Sequence, residues 1–391
     1  MLLPRHRCFI LLGDNIAYIL CLVTIFSAVG AILAIFFCGI VPIHTSDSLE
    51  KAEVIENTVA LRHIEDAHAE TRKEICEPLP PTDDDAKCGN RVADRKCCEY
   101  KRAMNNKDEI MRNLRSNGLL TILGGKNASP GDFPHMVAVG WLYQEKLVYK
   151  YVFLCGGSLI SNKFVLTAAH CTSYNGKGVL EPIPRIVRMG SEYISDKVKD
   201  RNRKNVRIKN ITTHPSYNPK FYYYDVALLE LRSEVIFTKK IHPACLSTSL
   251  TPTKFTEVNI TGWGFTDKDS KQMPDRLQVA TVNMIKYETC EKKLVEDQSG
   301  NWVFRTHQLC AGVEGGGIDT CQGDSGGPIQ VKVCTTSGSM HSVIGVTSAG
   351  HRCGLPDSPG IYISVVSVLT WIENIVWPED YHKLRGFRRN Y

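Results

Sequence analysis

An all-β domain, a sandwich or a barrel, is predicted from Ile122 to about Ile375, closed by a single C-terminal helix. Two observations carry the prediction. Short β-branched runs recur between Gly, Pro and Asn turns: Met136 to Trp141, Tyr149 to Leu154, Phe164 to Thr167, Ile186 to Met189, Val226 to Leu231 and Val343 to Thr347. Short strands at such spacing build sandwiches and barrels. At the end the period changes, with Val365, Val368, Leu369, Ile372, Ile375 and Val376 recurring at three and four. That spacing puts one apolar face on a helix packed against the body.

The 121 residues before it and the end of the chain divide by composition. Arg5 and Arg7 precede a stretch without formal charge from Asn15 to Ile43. About 20 apolar residues span a bilayer as a helix, whereas a signal peptide core needs about 7–15. The segment therefore reads as an apolar helix over 1–44, either a signal anchor or a long cleaved signal peptide. In the anchored case the positive end is cytoplasmic and the rest outside. From 45 to 121 the chain reads as a pro-region. Ser48 to Arg72 is charged and Ala/Glu-rich, a helix or a disordered stalk, and Pro78, Pro80, Pro81 with Asp83 to Asp85 mark irregular chain. Residues 379–391 form a basic tail.

Composition excludes some functions. The 391 residues are 43% hydrophobic, enough for a core, and a net charge of +6 spread among acidic residues does not suit a nucleic-acid binder. Of fifteen cysteines, Cys8, Cys21 and Cys38 fall in or beside the apolar stretch and twelve lie beyond it. An even set in an exported chain implies disulfides in an oxidising compartment, and no paired Cys-x-x-Cys/His spacing supports zinc. Asn127, Asn210 and Asn259 head glycosylation sequons, the last in a predicted strand where access is poor.

Three motifs stand in the order His, Asp, Ser: Leu166-Thr167-Ala168-Ala169-His170-Cys171, Asp225-Val226-Ala227-Leu228-Leu229 and Cys321-Gln322-Gly323-Asp324-Ser325-Gly326-Gly327-Pro328. A serine hydroxyl is a weak nucleophile at neutral pH and needs a base within hydrogen-bond reach, itself oriented by a third group. His170 suits the base, Asp225 the orienting carboxylate and Ser325 the nucleophile. Each alone has a plainer reading, a turn aspartate or a structural histidine; together they form a catalytic set. Gly323, Gly326 and Gly327 allow the sharp turn that aims the Gly323 and Ser325 amides at an oxyanion. Such donors are worth about 3–4 kcal/mol each in a transition state.

From Ile122 through the terminal helix the chain resembles the chymotrypsin family of serine proteases. Phe133-Pro134-His135-Met136, Gly156-Gly157-Ser158-Leu159-Ile160 and His242-Pro243-Ala244-Cys245-Leu246 make it most similar to the Snake-type and clip-type proteases of arthropod extracellular cascades. The resemblance implies a chymotrypsin-like fold of two six-stranded antiparallel Greek-key barrels. It places Asp319 at the base of the substrate pocket, with Gly350 and Gly360 on its walls. A buried carboxylate there prefers a cation, so cleavage is expected after Arg or Lys. The usual Ser-Trp-Gly reads Ser348-Ala349-Gly350, which keeps a hydroxyl to brace Asp225 but loses an aromatic platform. Extended specificity should differ accordingly.

The same likeness implies a zymogen. Ile122-Leu123-Gly124-Gly125 looks like the mature amino terminus, whose new ammonium would pair with Asp324 and order the pocket. The residue before the cut is Thr121 rather than Arg, so the activator should not be trypsin-like. Bridges implied are Cys155–Cys171, Cys290–Cys310 and Cys321–Cys353, with Cys245 joined to Cys97 or Cys98. Cys76, Cys88, Cys334 and the remaining one of the Cys97/Cys98 pair stay unassigned. A six-cysteine clip module cannot be built from the four cysteines before the protease. Expected partners are protein substrates, downstream zymogens among them, an upstream protease and serpin-type inhibitors, with membrane contact only through the amino-terminal segment. No cofactor is expected and no metal site is read, Glu192 and Asp196 being too mixed with Lys and Ser.

Two basic runs, Arg201 to Lys209 and Lys383 to Arg389, suit an exosite or an ordinary solvated surface. A catalytically silent homologue acting as adaptor is the alternative from another class, but such proteins generally lose the nucleophile and Ser325 is present. The long pro-region and the non-basic activation site argue against a digestive enzyme.

Overall fold

The computed structural model describes residues 5–13, 16–27, 30–42, 88–108, 126–248, 257–265, 273–296, 303–313, 315, 323–333, 340–350 and 359–386. It divides into two compact units, Met1–Cys76 and Glu77–Tyr391. In the first, three strands form one antiparallel sheet: β1 (Arg5–Gly13), β2 (Ile16–Ser27) and β3 (Gly30–Pro42). This corrects the expected amino-terminal helix. A charge-free run rich in Ile, with Val and Phe, suits a strand as well as a helix, and Gly13 and Gly30 stand at strand ends. Among the described residues no helix is long and apolar enough to cross a membrane.

The second unit holds two barrels. β5 (Met136–Glu145), β6 (Val148–Leu159), β7 (Phe164–Thr167), β8 (Ile186–Met189), β9 (Lys204–Thr213) and β10 (Ala227–Leu231) close in the order β10-β7-β6-β5-β8-β9. In the second barrel β12 (Glu257–Gly262), β13 (Gln278–Met284), β14 (Gln308–Gly312), β15 (Pro328–Val333), β16 (Met340–Gly350) and β17 (Gly360–Ser364) follow one another as β16-β15-β12-β13-β14-β17, and β17 pairs back onto β16. The short strands β4 (Lys126–Asn127) and β11 (Cys245–Leu246) add to its outside. The expected pair of six-stranded antiparallel barrels is therefore present. Closure leaves neither sheet with a free edge along the ring.

Apolar residues fill the first barrel as the alternation requires. Val137, Val139, Leu166, Val187, Leu229 and Leu231 are buried in one cluster. The same cluster takes in Val365, Val368, Leu369 and Ile372 of the C-terminal helix, which runs Val365–Val376 as predicted. A second short helix, Pro378–Leu384, occupies the start of the expected basic tail.

The segment expected to be a pro-region holds one element that its composition did not suggest. The helix Val92–Asp108, named α1, is tied to the β11 strand of the same unit by Cys97–Cys245, while Cys88 pairs with Cys98. Tyr100 is buried beside Cys245 and Met340, with Cys97, Met104, Phe237 and Trp377 packed around them. Its hydroxyl donates to the Ile160 carbonyl at 3.1 Å. Arg91 reaches the buried Glu373 at 2.7 Å, and the Ala93 amide donates to the same carboxylate at 3.0 Å. Ala93, Cys97, Tyr100 and Met104 recur at four, three and four, a stripe that predicts this helix once it is looked for.

The implied bridges Cys155–Cys171 and Cys290–Cys310 are formed. Cys76, Cys321, Cys334 and Cys353 lie outside the described residues, as do Ser48 to Arg72 and Asp83 to Asp85. Asn127 and Asn210 are exposed. Asn259 is partly buried on β12 and accepts a hydrogen bond from Thr281 at 3.1 Å, in keeping with poor access.

Candidate active site

Each motif sits where a strand or turn presents it. β7 delivers Thr167, and Ala168-Ala169 lead into the 3-10 turn His170–Thr172. Asp225 precedes β10, which pairs with β7 in the register Ala227↔Thr167. Pairing these neighbours brings residues 55 apart in sequence into contact. The His170 Nδ1 meets Asp225 Oδ2 at 2.7 Å, and the His170 amide donates to Asp225 Oδ1 at 2.9 Å. From the other barrel, the Ser348 hydroxyl donates to Asp225 Oδ2 at 2.6 Å. Asp225 is fully buried with three donors around it, while 25% of the His170 side chain stays open to solvent.

The Ser325 segment is seated on the same spot. The Gly156 amide of β6 donates to the Ser325 carbonyl at 2.8 Å, and Cys155 next to it is bridged to Cys171 beside His170. Gly326 has φ +76°, and a β-carbon there would collide with the Thr167 hydroxyl and meet the Gly156 carbonyl at 2.6 Å and the Ala168 amide at 3.0 Å. Only glycine lets the chain approach this closely. Gly323, at φ +100°, makes the other half of the turn. Asp324 faces inward, accepting the Gly264 amide at 2.8 Å, and side chains at Gly262 or Gly264 would run into its carboxylate.

Gly350 and Gly360 stand opposite each other in the β16–β17 ladder, so the two predicted wall positions share one rung. The ladder slips between Thr347 and Ala349, at Ser348. Ala349 packs against the cluster containing Cys290, Phe304 and Ile361. Thr121, Ile122 and Asp319 lie outside the described residues. Cys155, His170 and Cys171 bring their donor atoms within 4.8 Å of one another, but both sulfurs are spent in the disulfide and offer no thiolate. Asp196 pairs with Arg188 and Arg203, and Glu192 faces Lys240.

One neighbour of the site was not anticipated. Tyr222 sets its ring edge-on to His170 at 5.8 Å from a backbone with φ +53°. The run Phe221-Tyr222-Tyr223-Tyr224 directly before Asp225 was the available sign.

Residues 122–372 match the Trypsin family. The chain belongs to that family. It is 32% identical to Serine protease snk of Drosophila melanogaster over 78% of this chain and 69% of that one. It is also 32% identical to Serine protease Hayan of Drosophila melanogaster over 68% of this chain, covering 41% of that longer protein. With Clotting factor G beta subunit of Tachypleus tridentatus the identity is 31%, over 66% of this chain and 81% of that one. The trypsin-family protein described here is a serine endopeptidase related to arthropod cascade proteases.

Proposed function

We propose that this chain is an exported zymogen whose processed form cuts protein substrates after Arg or Lys within an extracellular regulatory cascade. The observation that carries the reading is the His170–Asp225 bond with the Ser325 turn seated against Thr167 and Ala168. In this reading Ser325 attacks the scissile carbonyl while His170 takes its proton and later returns it to the leaving amine. Asp225 fixes the imidazole tautomer and stabilises the imidazolium. Ser348 keeps the Asp225 carboxylate from turning. The amides of Gly323 and Ser325 receive the oxyanion, and Asp319 receives the cationic side chain.

Cleavage between Thr121 and Ile122 would release an ammonium for Asp324. Gly262 and Gly264 leave room for that carboxylate, which supports such a pairing. Since Thr121 is not basic, the activating protease is one that is not trypsin-like. The snk, Hayan and clotting-factor relatives support a cascade role, with other zymogens among the substrates. The test is to process the full chain before Ile122 and assay peptides that differ only in the residue before the cut. Turnover of Arg and Lys peptides is expected. Turnover confined to aromatic or small residues would overturn the specificity, and none with any peptide would overturn the activity.

A further inference from the structure

Beside the His170–Asp225 pair runs a column of stacked rings joining the two barrels. Trp371 of the C-terminal helix meets His214 edge-on at 5.0 Å, and His214 stacks flat on Tyr224 at 4.8 Å. The opposite face of Tyr224 stacks on His307 at 4.0 Å with only 11° between the planes. Tyr224 is thus sandwiched between a histidine that follows β9 and one that precedes β14 of the other barrel. Its backbone is left-handed, φ +51°, which a bulky residue adopts only when its surroundings hold it there. The neighbouring ring adds to the hold. The Tyr223 hydroxyl donates to the Val303 carbonyl at 2.8 Å, its ring meets His307 edge-on at 5.6 Å, and Arg305 lies over it at 5.5 Å.

What this column controls lies one residue on. Asp225 follows Tyr224 directly, and two residues back Tyr222, also left-handed, faces the His170 ring. We propose that His307 is a positioning residue for catalysis: by stacking on Tyr224 it holds the left-handed turn that aims Asp225 at His170 and Tyr222 at the edge of the same imidazole. The inference rests on the proteolytic reading given above. His307 is almost fully buried, and its carbonyl is pinned by the Ser364 amide at 2.9 Å, so the ring is set from the second barrel and cannot follow the Tyr224 loop if that loop shifts. Burial, helped by Arg305 and His214, lowers its pKa to about 4, which keeps the imidazole neutral and flat against the tyrosine.

The test compares His307→Ala with His307→Phe in the full chain processed before Ile122. Phenylalanine keeps the stacking face and discards the ring nitrogens. For a small Arg substrate, His307→Ala should lower kcat about 10- to 100-fold with KM little changed, the penalty of a slightly misplaced catalytic group. His307→Phe should restore kcat to within a few-fold. The downfield proton resonance of the His170–Asp225 bond should weaken or shift in His307→Ala and return in His307→Phe. Wild-type kcat in His307→Ala, or failure of phenylalanine to rescue either readout, overturns the proposal. If His307→Ala does not fold, Tyr224→Gly decides: glycine accepts the φ but removes the sandwich, and an unaltered kcat would contradict the clamp. Should the wild type itself turn nothing over, the proteolytic reading fails, and the resonance comparison still judges the clamp.

Discussion

Asp225 has no contact with solvent, yet both of its oxygens are satisfied, Oδ2 by two side chains and Oδ1 by the His170 amide. Replacing it by Asn should therefore disturb the tautomer of His170 rather than the fold. A fall in kcat on the order of 10⁴-fold is expected, with the melting temperature nearly unchanged. Ser348→Ala removes one of two donors to Oδ2 and should cost about 1–2 kcal/mol of catalytic stabilisation, read as a loss of kcat of about 5- to 30-fold. A different residue governs the acid limit of stability. His135 is fully buried, its ring 6.4 Å from Phe133 in a T-shaped contact and 5.4 Å from that of the buried His341. Burial lowers the His135 pKa from 6.5 to about 4, and burial with His135 alongside holds that of His341 well below the usual imidazole range. The unfolded chain thus binds protons that the folded one refuses. Stability is fully present above about pH 6.5 and is lost as pH falls toward 4. Thermal melts across that range should show the loss, and His135→Phe should make it shallower while His341 and His307 keep their share. The three catalytic-type residues were legible because each lies in a motif whose neighbours are diagnostic. Tyr222 and His307 were not, since a tyrosine run and a lone histidine announce a role only when folding brings them against His170 and Tyr224.

Among the elements, the strands that were easiest to read are those buried on both faces. Phe164–Thr167 and Ile186–Met189 have the predicted bounds, and their residues are almost entirely buried. β5 and β6 run further than their apolar stretches because the hairpin tip, where Leu147 is 91% exposed, is carried by backbone pairing rather than by burial. The helix α1 was missed for the opposite reason: its apolar stripe is narrow and embedded in Lys, Arg, Asp and Asn, so composition hides it. What makes it stable is the surface it docks on, with Glu373 as the fixed point. Glu373→Ala removes the acceptor for Arg91 and for the buried Ala93 amide, and should cost about 2–3 kcal/mol in chemical denaturation. Cysteine assignment divided in the same way. The bridges Cys155–Cys171 and Cys290–Cys310 followed from the family resemblance, whereas the choice of Cys97 over Cys98 for Cys245 depends on which face α1 turns inward.

At the scale of the molecule, two barrels each contribute part of one site, and a glycine seals the join. Gly326 has the left-handed backbone and touches Thr167 and Gly156 of the first barrel, so its replacement has no room to relax into. Gly326→Ala should destabilise the folded protein by several kcal/mol or displace the Ser325 turn, and activity should disappear before the β-rich circular dichroism does. The proposed function requires Ser325 to be an activated nucleophile that the proposed zymogen cut switches on. Labelling with a fluorophosphonate, followed by mass spectrometry of the modified peptide, measures this directly on the full chain before and after cleavage at Ile122. Label is expected on Ser325 in the processed chain, little in the intact one and none in Ser325→Ala. An unlabelled processed chain, or equal labelling with and without the cut, would contradict the proposed function.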